Sequence, residues 1–271
     1  MQDVFFLDCG TFDVPTFAVA PRGRGWGRSQ LSLTVGVAVR ESGDVVLVDC
    51  GFSEKTCEGP RRSIGAVYTV VLGLRLAPER AAVRQLAALG IAPSRVTTIV
   101  ATHLHLDHIG GWVDFPGAEL VCSTAELEAF SRRSGLSGYR AGDLAGKPPP
   151  RAVTLDGPAE LGFPSSHDLF GDGQVLLLEA NGHTPGHVAV ALQGAERLYV
   201  HTGDAADQLW EYGLEPPGPS LQGRVIGWST EELRRTYGFL RACEADARRP
   251  VIVPTHDRSV FERIPHGPRP G

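Results

Sequence analysis

Residues Thr102–Gly111 read Thr-His-Leu-His-Leu-Asp-His-Ile-Gly-Gly, and no other stretch constrains the chain as strongly. Three of the nine histidines fall within six residues here. Imidazole and carboxylate are the donors that Zn2+ and similar divalent ions take up. The apolar run Val96–Ala101 reads as a strand that delivers the motif. His103 and His105 stand two apart, so on an extended strand end they point the same way. Asp107 and His108 follow in a turn and can face a second position. Gly110 and Gly111 let the backbone pass close to bound ions without a side-chain clash.

Metal-type residues recur downstream, each in a turn after a short apolar run. Gly182-His183-Thr184-Pro185-Gly186-His187 follows Val175–Leu178. Gly203-Asp204 follows Arg197–Val200, and Thr255-His256-Asp257 follows Val251–Val253. Loops at strand ends are where function concentrates. The first cluster with His183, Asp204 and His256 makes five histidines and two aspartates, enough for two ions sharing one carboxylate.

From Leu31 to Arg258 the chain resembles the metallo-β-lactamase superfamily. His-x-His-x-Asp-His with a following Gly-Gly is that family's most specific motif, and the later His, Asp and His arrive in the family's order. The resemblance implies one α/β domain over residues 1–271, an αβ/βα sandwich of two mixed sheets with the ions at one edge. It implies that His103, His105 and His183 hold one Zn2+, that Asp107, His108 and His256 hold the other, and that Asp204 bridges them together with a water or hydroxide.

Composition agrees with such an enzyme. The chain has 271 residues, 42% of them hydrophobic, with 33 Gly and 20 Pro, which implies a packed core and many loops. A net charge of −5 offers no basic face for nucleic acid. No apolar run reaches membrane-spanning length, and no basic segment leads into an apolar core at the N-terminus. The five scattered cysteines form no CxxC pair, so neither a disulfide framework nor a thiolate metal site is expected, and the cytoplasm is the expected compartment. The expected partner is a small-molecule substrate; a homodimer is left open.

Strand and helix signals alternate along the chain. Leu31–Arg40 and Val45–Val48 read as a hairpin ending at Asp49, which is expected to hold the metal-bearing loop by hydrogen bonds. Pro78–Leu89 reads as an amphipathic helix closed by Gly90. Ser123-Thr124-Ala125-Glu126 and Ser229-Thr230-Glu231-Glu232 read as capping boxes. His187 and His201 are expected to be buried hydrogen-bonding residues, His167 and His266 solvated. Three segments could shape a pocket: Gly135–Pro150, Trp210–Trp228, and Phe12–Trp26 with its aromatics.

A water shared by two cations loses its proton near neutral pH, so the site implies hydrolysis by a metal-bridging hydroxide, with Asp107 helping to move its proton. The substrate follows from the resemblance. β-Lactamases of the superfamily usually lack a histidine at the position of His108 and often place cysteine at Asp204. Glyoxalase II enzymes add a C-terminal helical domain, whereas this chain runs from His256 only to Gly271. Length, motif and the late Thr-His-Asp are most similar to the N-acyl-homoserine lactonases. Those enzymes place a tyrosine three residues after the bridging Asp; here that position is Asp207. Carbonyl orientation is then expected from Tyr212, from Asp207 or from the metals alone; an ionised carboxylate cannot donate to an oxyanion, so Tyr212 is the candidate catalytic substitute, with packing in its loop the alternative. A thioester, phosphodiester or aryl-ester hydrolase on the same site, or a metal-binding redox module, are the alternatives.

Overall fold

The computed structural model describes residues 3–132, 138–140, 142 and 144–268. Seven strands, β1 (Asp3–Pro15), β2 (Arg28–Val39), β3 (Val45–Val48), β4 (Leu74–Arg75), β5 (Val96–Val100), β6 (Glu119–Ser123) and β7 (Arg151–Val153), form one sheet in the order β4-β1-β2-β3-β5-β6-β7. Five more, β8 (Ser166–Asp168), β9 (Val175–Glu179), β10 (Val188–Gln193), β11 (Leu198–Gly203) and β12 (Val251–Pro254), form a second in the order β12-β11-β10-β9-β8.

The period of two along each strand sorts the apolar side chains into layers. Val46, Val48, Val100, Val188, Val190 and Leu192 pack between the sheets. Their alternates Val45, Leu47 and Ile99 face the first sheet's outer helices, and Ala189 and Ala191 face the helix Thr230–Glu244. The result is the expected sandwich of two mixed sheets with helices outside.

Strand direction sets where the functional loops emerge. β3, β5 and β6 run parallel, so the segments after Val48 and Val100 leave the first sheet at the same edge. β9 and β11 are both antiparallel to β10, and β12 is parallel to β11. The turns carrying His183, Asp204 and His256 therefore leave the second sheet together, although the last lies far along the chain.

Two elements differ from expectation. β1 is a strand of 13 residues where only a pocket-forming loop from Phe12 was anticipated. Its Val4, Phe5, Phe6 and Leu7 are buried on both faces, which erases the alternation that marks a strand. The segment from Pro78 is a turn (Pro78–Arg80) and a helix (Ala82–Ala88) separated by an extended Ala81 with ψ 137°. Arg80 donates to Thr11 Oγ1 at 2.9 Å and Gln85 to Asp8 O at 3.0 Å, and these ties to β1 fix the break. Gly90, at φ 76°, takes the left-handed position after the helix. The five cysteines are buried free thiols, and among the described residues no helix is long and apolar enough to cross a membrane.

Candidate metal centre

The first ligand loop is held from below by Asp49. This buried carboxylate accepts from Thr102 N at 2.8 Å and Thr102 Oγ1 at 2.9 Å, and His108 Nδ1 donates to it at 2.7 Å. With Nδ1 committed, His108 turns Nε2 toward the interior. Asp49 adopts φ 60°, an uncommon conformation for a residue with a side chain. The loop closes down at Gly111, where an added Cβ would lie 2.3 Å from Cys50 O, so only glycine fits.

The other six sequence-identified donors cluster around Asp204, and its two oxygens face different partners. Oδ2 lies 3.5 Å from His183 Nε2 and 3.9 Å from His103 Nε2. Oδ1 lies 3.3 Å from both His108 Nε2 and His256 Nε2. His183 Nε2 and His105 Nδ1 stand 3.2 Å apart, and Asp107 Oδ2 lies 3.7 Å from His108 Nε2. Donor atoms of His103, His105 and His183 all lie within 4.8 Å of one another, as do those of Asp107, His108 and His256. His103 Nε2, His108 Nε2 and Asp204 Oδ1 are buried without a hydrogen-bond partner. Such atoms are costly to bury unless a cation satisfies them, so the donor set fits two divalent ions.

Supporting residues fix the rest. By its sequence position Glu126 is half of a capping box. Ser123 Oγ does accept from Glu126 N at 3.0 Å, but the Glu126 carboxylate turns inward. It accepts from Leu104 N at 2.8 Å, Tyr139 OH at 2.9 Å, Thr184 Oγ1 at 2.6 Å and Gly186 N at 3.3 Å. One carboxylate thereby ties the His103–His105 segment to the His183 turn. Tyr139 also packs on the His105 ring, with centroids 5.1 Å apart. Neither residue carried a signal in the sequence beyond the cap. His187 Nε2 accepts from Asp204 N at 3.0 Å and so positions Asp204. His256 donates through Nδ1 to Ser32 O at 2.7 Å, leaving Nε2 for the centre.

Charge divides the cluster. Burial and the neighbouring imidazoles hold His103 and His183 well below the usual histidine range. Burial is the largest influence on His108 and His256 and opposes their protonation, but the surrounding carboxylates together outweigh it, Asp204 first, with Asp49 and Asp107 at His108 and Asp207 and Asp107 at His256, and His256 is carried up to about 9. Burial pushes Asp204 up, yet His108, His256 and His183 together hold it well below the carboxylate range.

The centre opens into a small cleft walled by Phe12, Leu72 and Ile226 and floored by His105, Asp107, His183, Asp204, His256 and Asp207. Phe12 stands edge-on to His256, with ring centroids 5.2 Å apart. Phe17 and Trp26 from the same anticipated segment are exposed and line no part of it. Of the Trp210–Trp228 segment, Gln222, Gly223 and Ile226 reach the cleft. Residues 135–137, 141 and 143 of the Gly135–Pro150 candidate lie outside the described residues. A far larger hollow of about 1090 Å3 lies beyond β4 among Arg28, Arg61, Arg62 and Arg75, and none of the ligands reaches it.

Tyr212 is not where the substitute for the family tyrosine was expected. It is buried with Leu233, Tyr237, Leu240 and Cys243 under the helix Thr230–Glu244, and burial pushes its phenol well up. The short helix Trp210–Gly213 turns it into the core, while Asp207 faces the cleft. Burial, Glu211 and Asp204 hold the Asp207 acid well above the usual range.

Comparison with known proteins agrees with this geometry. The sequence profile of the metallo-beta-lactamase superfamily matches residues 33–256. A probable metallo-hydrolase of Mycobacterium tuberculosis is 38% identical over 209 residues, which are 74% of this chain and 62% of that protein, so the chain spans less than two thirds of that relative. The N-acyl homoserine lactonase AttM of Rhizobium radiobacter is 30% identical over 235 residues, 85% of this chain and 84% of its own. Among solved structures, Bacillus thuringiensis AiiA with N-decanoyl-L-homoserine at its active site shares the fold, with a TM-score of 0.74 at 19% identity over 96% of this chain and 95% of that one. AidC, a dizinc quorum-quenching lactonase, aligns with a TM-score of 0.65 at 17% identity over 95% and 89%. The matched profile runs from within β2 through β12 and takes in every loop that meets at Asp204, and the chain belongs to the metallo-beta-lactamase superfamily.

Proposed function

We propose that this chain is a metal-dependent hydrolase that opens the lactone ring of N-acyl homoserine lactones. The observation that carries the reading is Asp204, whose two oxygens face two separate imidazole sets. His103, His105 and His183 would hold one Zn2+, Asp107, His108 and His256 the other, with Asp204 shared. When bound, the two ions supply Lewis acidity toward the substrate carbonyl and make a nearby water acidic near neutral pH. The names of AttM and AiiA support the substrate class.

The chain's own residues then do the following. Phe12, Leu72 and Ile226 form the apolar wall of the cleft and exclude bulk water from the reacting ester. Asp107 lines the same cleft, where it can accept the proton released from the attacking water and return it to the departing oxygen. Water oxygen bonds to the carbonyl carbon, the ring C–O bond breaks, and the product is a hydroxy acid. His187 and Glu126 keep the ligands in place throughout.

The test is a substrate panel on zinc-reconstituted protein. N-Hexanoyl and N-decanoyl homoserine lactones are run beside a thioester, a phosphodiester and an aryl ester. Acid release with formation of the N-acyl homoserine in the lactone arms supports the reading. Turnover confined to another arm overturns it.

A further inference from the structure

We infer that Asp207 is an additional ligand of the second ion, making that position richer in oxygen than the first. The inference rests on the two-ion reading above and concerns a residue that the family motif leaves out.

Asp207 is 6% exposed and lines the cleft. Its backbone N–H donates to Glu211 Oε2 at 2.8 Å, which fixes where the residue sits. Glu211 is itself buried and also accepts from Ser220 N at 2.7 Å, so the turn is braced from both sides. The Asp207 carboxylate, in contrast, receives no hydrogen bond and no ion pair from any described residue. A largely buried carboxylate that meets no protein donor and opens only to the cleft carries a desolvation cost that a cation there would offset.

Its neighbours make the demand sharper. Donor atoms of Asp204, Asp207 and His256 lie within 4.8 Å of one another. Two carboxylates that close repel unless a cation or a proton sits between them. His256 Nε2 is the nitrogen that faces Asp204, and its other nitrogen is committed to Ser32 O. A divalent ion held by His256 and Asp204 is therefore within reach of Asp207 as well.

The consequence is an asymmetric pair of positions. The first set comprises His103, His105, His183 and the shared Asp204, three imidazoles and one carboxylate. The second comprises His108, His256, Asp107, Asp204 and Asp207, two imidazoles and three carboxylates. Carboxylate oxygen suits harder ions such as Mn2+, and imidazole suits Zn2+. The second position should accordingly accept Mn2+ while the first prefers Zn2+.

The experiment loads metal-free protein with one equivalent of Zn2+ and then titrates Mn2+, reading free Mn2+ by electron paramagnetic resonance. Wild type is compared with Asp207→Asn, Asp207→Glu and His256→Ala. Loss of a mere supporting contact already weakens metal binding by roughly 10–100-fold, so Asp207→Asn should weaken Mn2+ by at least about tenfold. The Zn2+ already in place should stay, and Asp207→Glu should recover part of the affinity. Asparagine mimics a protonated aspartate in shape and charge. If Asp207→Asn binds Mn2+ as tightly as wild type while His256→Ala loses it, Asp207 holds only a proton and the inference falls. If wild type takes up no second ion, the two-ion reading fails and the inference with it.

Discussion

The two halves of the proposed metal centre are built by opposite means. The His103–His105–His183 half rests on one buried carboxylate, Glu126, whose four hydrogen bonds join three segments of chain. The His108–His256 half rests on two separate supports, Asp49 beneath His108 and the Ser32 carbonyl beneath His256. Charge follows the same line. Burial keeps His103 and His183 neutral, whereas the carboxylates around His108 and His256, Asp204 foremost, together override burial and shift both toward the protonated form when no ion is present. Imidazole must be neutral to ligate. One half is thus ready for an ion at neutral pH, and the other exchanges protons for it.

The largest break in this comparison should come from the residue that belongs to both halves. Asp204→Ala removes an oxygen from each set and leaves the imidazoles facing an empty centre. It should lower occupancy at both positions and reduce turnover by more than about 100-fold, beyond what loss of a supporting contact costs. Elemental analysis and steady-state kinetics read the two effects. Retention of both ions would remove Asp204 from its shared place.

Glu126→Gln should separate the halves. The amide keeps the shape, but the charge-assisted bonds weaken, and one side of the group becomes a donor facing donors. We expect about 2 kcal/mol of lost stability and roughly 10–100-fold weaker binding of the first ion. The second ion should bind nearly as before. Thermal unfolding of metal-free protein and sequential Zn2+ titration check this, and equal weakening at both positions would show that Glu126 supports the whole site rather than one half.

Tyr212→Phe should do least. The phenol is buried in the core beneath the helix Thr230–Glu244, so turnover should change by less than about twofold; a hydrogen bond to a developing oxyanion would be worth about 100-fold or more. A loss of that size would return Tyr212 to the cleft.

What the sequence disclosed and what it concealed differ for physical reasons. The seven donors were legible because imidazoles cluster after apolar runs, and strand direction then gathers those runs at one edge. Glu126 read as a capping residue because its local position is that of a cap; its function depends on Leu104, Tyr139, Thr184 and Gly186, which only the fold assembles. Tyr212 and Asp207 were assigned opposite parts because proximity in sequence carries no direction. One short helix sends the phenol into the core while the carboxylate stays in the cleft. β1 was hidden by apolar residues on both of its faces.

Proton release on metal binding tests the division of the centre most directly. Metal-free protein at pH 7 is titrated with Zn2+ in two buffers of different ionisation enthalpy, and protons are counted for each ion. His256, held near 9 by Asp204 and its neighbouring carboxylates against burial, must lose its proton to ligate, and His108 is shifted in the same direction. His103 and His183 are already neutral. The first ion should therefore bind with little proton release from these side chains. The second should displace protons, and its affinity should rise with pH until His256 is neutral above about 9. Equal proton release by the two ions, or uptake of one ion only, would contradict the account.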